Sequence, residues 1–506
     1  MILLVHPPAT KPCEPPAGVA RLKGALRSVG ASCAVLDANL EGYLHLLSGP
    51  LPDAADAWTK RAVRNAAANL ATLRSPEGRR GFDRYKKAAS DCNRLLEAIS
   101  APYGVRLGLA NYQHEDWSPV RSADLIQASM EPERNVFHPY FSHRLDQLVE
   151  ELRPTLVGFS LNFLNQALCT FAMIGFLRKK HPGLPVALGG GLVTSWMRRP
   201  GWRNPFGGLV ERLVAGPGEE ALLSIAGVDA GSASPPPFTP DYDDASMREY
   251  LSPGVILPYS ASTGCYWNRC SFCPERAEES PFIPVPSQRT AADLRSLVAI
   301  HRPALIHLLD NAVNPALMKT LIKNPPGAPW YGFARITRRL ADPDFCTALA
   351  RSGCVMLKLG LESGDQTVLD RLRKGEDLDV ASRALAALHG AGIATYVYLL
   401  FGTPVETEAS ARKTLDFTIR HADSIDFLNL AIFNLPIYSP DAREVETQLH
   451  YEGDLSLYTG FSHPAGWGRG RVRRFLDREF KRNSVIASII RRDPPFFTSN
   501  HAPFFA

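Results

Sequence analysis

Three cysteines lie close together near the middle of the chain, in the segment Thr263-Gly-Cys265-Tyr-Trp-Asn-Arg-Cys270-Ser-Phe-Cys273. Four residues separate the first pair and two separate the second, so one short loop can direct three thiolates at one metal centre. Thiolates are the usual ligands of iron–sulfur clusters, and they also bind zinc. Three protein ligands leave one iron of a four-iron cluster free to bind another molecule, which is typical of a catalytic cluster.

Two other interpretations of this loop stay open. A structural zinc site is normally closed by four ligands. The nearest downstream histidines are His301 and His307, and His307 lies inside an apolar, strand-like run. Three unligated cysteines are the other alternative, since free cysteines are common in protein cores. A cluster is favoured because three cysteines in nine positions would be an unusual coincidence.

The composition of the whole chain is that of a globular protein. It has 506 residues, enough for two or three domains, with 45% hydrophobic and 21% charged residues. The net charge of +5 is too weak to indicate binding to nucleic acid or to a membrane surface. Nine scattered cysteines favour a reducing cytoplasm over a disulfide framework. The apolar run Met1–Val5 is too short for a signal peptide, and no run predicts a membrane helix.

Residues 1–230 are predicted to form a doubly wound α/β domain around a parallel sheet. Apolar, strand-like runs alternate with helical stretches at Ile2–Val5, Cys33–Leu36, Leu156–Ser160, Val186–Leu188 and Arg212–Val214. Between about residues 40 and 152 this alternation stops, and three amphipathic stretches predict a helical insertion: Ala54–Leu73, Phe82–Ile99 and His143–Leu152. The proline- and serine-rich stretch 231–241 predicts a linker between domains.

Residues 242–436 are predicted to form a partial barrel of six parallel strands with helices between them. The candidate strands are Val255–Ser260, Ala304–Leu309, Trp330–Ile336, Val355–Leu361, Ala394–Phe401 and Ile425–Ile432. In such sheets, functional residues gather at the carboxyl ends of the strands, and the cysteine loop follows the first strand. Residues 437–506 form a mixed segment in which basic Gly468–Arg474 leads into a predicted helix near Phe475–Ile490.

The cysteine loop resembles that of the cobalamin-binding radical S-adenosylmethionine (SAM) enzymes. The resemblance covers roughly residues 1–38 and 153–435, and Phe272 between the last two cysteines is typical of it. The family's usual spacing is three then two, whereas four then two is similar to a variant in cobalamin-linked members. The resemblance implies that Cys265, Cys270 and Cys273 bind a [4Fe-4S] cluster whose fourth iron binds SAM.

The strand ends of the second half agree with this resemblance. Asp310 follows the second strand, Arg335 the third, Glu362 the fourth and Gly402 the fifth. A zwitterionic amino acid with a ribose needs an acid, a base and close backbone approach. The resemblance therefore implies that these four residues bind SAM. Each alone is more often a surface ion pair or a turn residue.

The first half is similar to the cobalamin-binding module of the same family. The resemblance implies cobalamin contacts at strand–loop junctions: Pro8, Ser160, Leu161, Gly189, Gly190 and Glu219. The paired glycines would let the backbone approach a cofactor, although they also serve plain tight turns. The Asp-x-His-x-x-Gly motif, which supplies a cobalt-ligating histidine in other cobalamin modules, is absent. The resemblance thus implies bound cobalamin without that ligand.

The implied function is a cytoplasmic radical SAM enzyme with a [4Fe-4S] cluster, SAM and cobalamin, which methylates an unactivated carbon. The implied partners are a small-molecule or peptide substrate and an external electron donor of flavodoxin or ferredoxin type. One alternative is a cobalamin-dependent rearrangement or cyclisation without methyl transfer. Another is a cobalamin or cluster sensor without turnover, which the set of strand-end polar groups disfavours. The substrate is expected to be selected by the insertion 40–152 and the C-terminal segment.

Overall fold

The computed structural model describes residues 1–49, 56–227, 238–243, 245–448 and 453–506. The chain divides into two compact units. The first is Met1–Val255 with two short later segments, and the second is nearly everything from Ile256 onward. No helix among the described residues is long and apolar enough to cross a membrane.

A five-stranded parallel sheet, in the order β2-β1-β5-β6-β7, forms the centre of the first unit. The strands of this unit are β1 (Ile2–His6), β2 (Cys33–Asp37), β3 (Val105–Gly108), β4 (Asn111–His114), β5 (Leu156–Ser160), β6 (Val186–Gly189) and β7 (Arg212–Leu213). Every residue of β1 and β5 is buried, which explains their continuous apolar sequence. The predicted doubly wound α/β fold is confirmed.

The helices of the first unit cover this sheet and fill the insertion. They are α1 (Ala17–Ser28), α2 (Ala38–Ser48), α3 (Ala57–Arg64), α4 (Ala66–Arg74), α5 (Glu77–Arg80), α6 (Phe82–Ser100), α7 (Ser122–Met130), α8 (His138–Leu152), α9 (Leu164–Lys180), α10 (Gly191–Met197) and α11 (Glu219–Ile225). The predicted helix Ala54–Leu73 is two helices that meet at Asn65. Its first residues, 54 and 55, lie outside the described residues. The antiparallel pair β3–β4 was not predicted.

The boundary between the units lies later in the chain than the sequence predicted. Residues 231–237 of the predicted linker lie outside the described residues. The second domain was predicted to begin at residue 242, but the units divide after Val255. The reason is that this stretch packs on the first unit: Arg27 pairs with Asp241 at 2.7 Å, and the Tyr250 hydroxyl donates to Asp37 at 2.6 Å.

A six-stranded parallel sheet, in the order β15-β14-β13-β12-β11-β8, forms the centre of the second unit. The strands of this unit are β8 (Ile256–Tyr259), β9 (Ser262–Thr263), β10 (Ile283–Pro284), β11 (Leu305–Leu308), β12 (Trp330–Ala334), β13 (Cys354–Glu362), β14 (Ala394–Phe401), β15 (Phe427–Ile432), β16 (Leu435–Pro436), β17 (Thr447–Gln448) and β18 (Tyr458–Phe461). Sequential neighbours pair in space, as the predicted six-stranded partial barrel requires.

The helices of the second unit mostly connect these strands. They are α12 (Pro274–Ala277), α13 (Ser287–His301), α14 (Pro315–Lys323), α15 (Pro343–Arg351), α16 (Gln366–Arg371), α17 (Leu378–Gly390), α18 (Glu408–Arg420), α19 (Arg469–Phe475), α20 (Ser484–Ile490) and α21 (Thr498–His501). The helix predicted near Phe475–Ile490 is interrupted, because the Asn483 side chain accepts from the amides of Val485 and Ile486 and starts a new helix there.

Packing of the inserted helix α7 on helix α9 generates a stability prediction. A Cβ on Gly175 of α9 would lie 1.8 Å from the Ser129 carbonyl oxygen of α7, so Gly175→Ala must push the two helices apart. We expect a loss of about 1–3 kcal/mol, seen as a lower thermal unfolding midpoint. Gly183→Ala is the matched control, because nothing lies within 4 Å of that position. Equal midpoints for the two variants would contradict this packing.

Candidate functional site

The entry to the cysteine loop is held by Asp310, at the end of β11. The Asp310 carboxylate accepts one hydrogen bond from the Ala261 amide at 3.1 Å and another from the Ser262 hydroxyl. Asp310 is 1% exposed. Burial raises the pKa of Asp310, and these hydrogen bonds oppose the shift. The predicted SAM ligand Asp310 therefore contacts the protein's own loop and positions its first residues.

The loop itself turns sharply before its first cysteine. Gly264 has φ +69°, and a Cβ there would lie 2.3 Å from the Pro281 carbonyl oxygen, so this turn requires glycine. Further along, the Ser271 amide donates to the Leu372 carbonyl at 3.0 Å. The loop is thus fixed near its start to the end of β11 and between its second and third cysteines to the connection after α16.

The three loop cysteines are free thiols, with Cys270 buried and Cys265 and Cys273 partly buried. Burial raises the pKa of Cys273 to about 11 and also raises that of Cys270, where nearby cations oppose the shift. Among the described residues, no three Cys, His, Asp or Glu side chains meet at one metal position. A cluster binds each thiolate through a different iron, so its thiols need not meet at one point. Three thiols on one loop are the donor set that such a cluster takes.

Arg335, at the end of β12, connects the cysteine loop to the rest of the site. Its Nη1 lies 3.9 Å from the Cys270 sulfur, and its guanidinium lies 4.2 Å above the Trp267 ring. Its Nη2 donates to the Lys374 carbonyl oxygen. The side chain is 8% exposed, so these contacts fix a charged group in a largely dry position.

Two carboxylates balance the cations of this network. Lys374 Nζ lies 3.0 Å from Glu362 and 3.8 Å from Glu376, and Arg335 lies 3.5 Å from Glu376. Burial disfavours the charged lysine, but the two glutamates outweigh it and raise the pKa of Lys374. Burial raises the pKa of Glu376 to about 7, against the effect of both cations. The result is a buried network of two cations and two carboxyl groups beside Cys270.

Glu362 occupies a backbone conformation that non-glycine residues rarely adopt. Its φ is +65°, at a point where the register between β13 and β14 is irregular. A Cβ on Gly360 would lie 2.5 Å from the Glu362 carboxylate and 2.8 Å from Lys374 Nζ, so a side chain there would displace this ion pair. Unfavourable backbone conformations of this kind are concentrated at functional sites.

Gly402, at the end of β14, lies in a second polar cluster. Its amide donates to Glu406, which also accepts from the Trp467 indole at 2.9 Å. Burial raises the pKa of Glu406 to about 7, and those two hydrogen bonds oppose the shift. Of the four predicted SAM residues, Arg335 and Glu362 share the charge network, whereas Asp310 and Gly402 have separate partners among the described contacts.

Several residues of the site were not predicted as functional. Lys374 and Glu376 join the network from the connection after α16, and Trp267 packs against Arg335 from the cysteine loop. Lys374 follows Glu362 by 12 residues, and nothing in the local sequence marks it or Glu376 as part of the site. Glu406 and Trp467 lie 61 residues apart, and no local pattern joins them.

The predicted cobalamin residues follow three neighbouring strands of the first unit. Pro8 follows β1, Ser160 and Leu161 lie at the end of β5, and Gly189 and Gly190 at the end of β6. Parallel strands end at one edge of the sheet, so the structure brings these five together there. The Asn162 side chain donates to the Ser160 hydroxyl at 3.1 Å. Glu219 begins α11 and pairs with Arg21 at 2.5 Å.

Gly190 has a structural role at this edge. It has φ +107°, and a Cβ there would lie 2.4 Å from the Leu161 carbonyl oxygen. The Leu161 amide donates to the Gly189 carbonyl at 2.8 Å. The close approach that requires glycine is therefore one between two strand ends of this chain. The Ser160 hydroxyl, which accepts a hydrogen bond from Asn162, stays a predicted cobalamin contact.

The buried carboxyl of Glu406 generates a pH prediction. Its pKa is about 7 when folded and 4.5 when unperturbed, so the folded state binds the proton more tightly. The free energy of unfolding should therefore fall as pH rises between these values, by roughly 3 kcal/mol for this group. Calorimetry at pH 5 and pH 8 should show a smaller pH dependence for Glu406→Gln than for wild type. Exposed Glu408→Gln is the control, and an unchanged dependence in E406Q would contradict the assignment.

A curated relative is the anaerobic magnesium-protoporphyrin IX monomethyl ester cyclase of Rubrivivax gelatinosus. It is 24% identical over 189 residues, which cover 35% of this chain and 33% of the relative. The match thus spans about one third of the relative's length.

Two solved structures share the fold. One is the radical SAM methyltransferase TsrM from Kitasatospora setae, solved with cobalamin and a [4Fe-4S] cluster bound. It has a TM-score of 0.50 and is 18% identical to this chain, and the match covers 88% of this chain and 77% of the TsrM chain. The other is the cobalamin-dependent SAM radical enzyme OxsB with aqua-cobalamin bound. It has a TM-score of 0.58 and is 13% identical to this chain, and the match covers 91% of this chain and 64% of the OxsB chain.

The family model for the radical SAM superfamily matches residues 259–418. This range begins at the end of β8 and includes the cysteine loop, the charge network and Gly402. The predicted family resemblance and the predicted fold class are confirmed. Residues 259–418 therefore form a radical SAM domain, and the chain has the fold of the cobalamin-dependent radical SAM enzymes.

Proposed function

We propose that this chain is a cobalamin-dependent radical SAM enzyme that methylates an unactivated carbon of its substrate. The observation that carries the proposal is the position of Cys270, within a three-cysteine loop and beside a buried network of Arg335, Lys374 and Glu362. The network lies at the carboxyl edge of a parallel sheet, where such folds bind their ligands. The fold shared with TsrM and OxsB supports the proposal.

The residues of the second unit would hold two cofactors and exclude water from them. Cys265, Cys270 and Cys273 would bind the cluster, and Glu362 and Arg335 would bind the amino and carboxylate groups of SAM. When bound, these cofactors supply a 5′-deoxyadenosyl radical and cobalamin supplies a methyl group. Asp310 fixes the loop, and the buried state of the network keeps the site dry.

The residues of the first unit would hold cobalamin at the sheet edge. Ser160 would donate a hydrogen bond, and the backbone at Pro8, Leu161 and Gly189 would line the cofactor. Gly190 and Glu219 would shape this edge through their contacts with Leu161 and Arg21, as well as meeting the cofactor. We also propose a cytoplasmic location and an external flavodoxin- or ferredoxin-like electron donor.

A second candidate function is a cobalamin-dependent rearrangement or cyclisation without methyl transfer. The curated relative, which is matched over about one third of its length, is a cyclase. Both candidates use the same cysteine loop and network. They differ in the products formed from SAM.

The first test concerns the cofactors. Anaerobic purification with hydroxocobalamin and cluster reconstitution should give about four irons per chain, together with retained corrinoid absorbance. Cys270→Ala should lose most of the iron, because one of three ligands is removed, and should keep the corrinoid. Cys346→Ala, which removes a buried thiol elsewhere in the same unit, should keep both. Zinc in place of iron would contradict the radical mechanism, and iron without corrinoid would contradict the cobalamin site.

The second test distinguishes the two candidate functions. A methylating enzyme uses one SAM to form the radical and another as methyl source, so S-adenosylhomocysteine should accumulate in about equal amount to 5′-deoxyadenosine. A rearrangement should give 5′-deoxyadenosine with little S-adenosylhomocysteine. Both nucleosides are measured by mass spectrometry during turnover with extract of the native host. Glu362→Gln should reduce both products at least about tenfold by removing a SAM contact.

A further inference from the structure

Three consecutive residues, Lys374, Gly375 and Glu376, form one wall beside the cysteine loop. The Lys374 carbonyl oxygen accepts from Arg335. Gly375 has φ +68°, and a Cβ there would lie 2.2 Å from the Trp267 ring. The backbone therefore packs closely against the indole, with no room for a side chain at this position. This contact fixes where the side chains on either side of Gly375 can point.

Glu376 is the least accessible member of the charge network. Its side chain is 0% exposed, and it lies 3.5 Å from Arg335 and 3.8 Å from Lys374. The Ile336 amide also interacts with this carboxylate, but neither carboxylate oxygen has a hydrogen bond of normal geometry within the part of the chain that the structure describes. Burying a carboxylate with so few polar partners is unfavourable. The two cations beside it are therefore the main groups that offset the burial of its charge.

The two glutamates of the network have different surroundings. Glu362 lies at the strand end, 3.0 Å from Lys374, and is the one proposed to bind SAM. If the Glu362 carboxylate binds the amino group of SAM, that carboxylate interacts with two cations, the SAM ammonium group and Lys374. Glu376 is then the fixed negative charge that continues to hold Arg335 and Lys374 beside Cys270.

We propose that Glu376 is a positioning residue for the candidate cluster, holding Arg335 and Lys374 at the cysteine loop and setting the charge that the cluster experiences. This rests on the proposed function. Glu376 lies 3.5 Å from Arg335, whose Nη1 lies 3.9 Å from the Cys270 sulfur. A negative charge near a cluster in a dry site disfavours adding an electron to that cluster. The charge of Glu376 should therefore keep the bound cluster a strong reductant.

The test replaces the charge and keeps the shape. Glu376→Gln is isosteric and neutral, Glu376→Asp keeps the charge, and Asp379→Asn removes a nearby exposed charge as control. The quantity measured is the midpoint potential of the reconstituted cluster, which is determined by a redox titration at pH 8 followed by electron paramagnetic resonance. E376Q should raise the ratio of reduced to oxidised cluster about tenfold at fixed solution potential, which is a shift of about 59 mV for one electron. D379N should match wild type, and E376D should lie nearer to wild type than E376Q.

Each outcome of this test has a definite meaning. An E376Q cluster with wild-type iron content and potential overturns the proposal, as does an E376D shift equal to that of E376Q. If E376Q assembles no cluster, normal assembly in E376D supports the need for a charge, and failure of E376D as well overturns it. A wild-type chain that assembles no [4Fe-4S] cluster contradicts the proposed function, whereas an unshifted cluster contradicts only the role of Glu376.

Discussion

Burial of two cations beside a thiol is the constraint on which the candidate site depends. Arg335 and Lys374 are each less than a tenth exposed, and burying two positive charges is unfavourable without nearby carboxylates. Glu362 and Glu376 supply these carboxylates. Their placement is accompanied by unusual backbone geometry, which is the positive φ of Glu362 and of Gly375 and the close approach at Gly360. The strand ends, the loop and the tight turns are thus parts of one electrostatic arrangement.

The parallel sheets were predictable from the sequence for a simple physical reason. Strands buried on both faces, such as β1 and β5, read as short continuous apolar runs, and the same holds for much of β8 to β15. Once the strands are placed, their carboxyl ends must meet at one edge. This reasoning, with the family resemblance, selected Arg335 and Glu362, which the structure joins in one network through Lys374.

The remaining features depend on contacts between distant segments, which no local pattern encodes. In the sequence, Glu376 is an ordinary charged residue shortly before a helix. Its buried position depends on the packing of Gly375 against Trp267, which lies more than one hundred residues earlier. The unit boundary moved to Val255 because Tyr250 reaches Asp37, more than two hundred residues earlier. The four-residue strands β3 and β4 were missed because so short an alternation carries little signal.

The contact between Gly190 and Leu161 also affects how genetic data on this protein should be interpreted. In a saturation mutagenesis screen, almost every substitution at position 190 should score as damaging, because any side chain would strike the neighbouring main chain. Such intolerance would look like a signature of ligand recognition while reporting only on backbone geometry. Tolerance at Ser160, whose hydroxyl meets a side chain, is the more informative measure of what this edge binds.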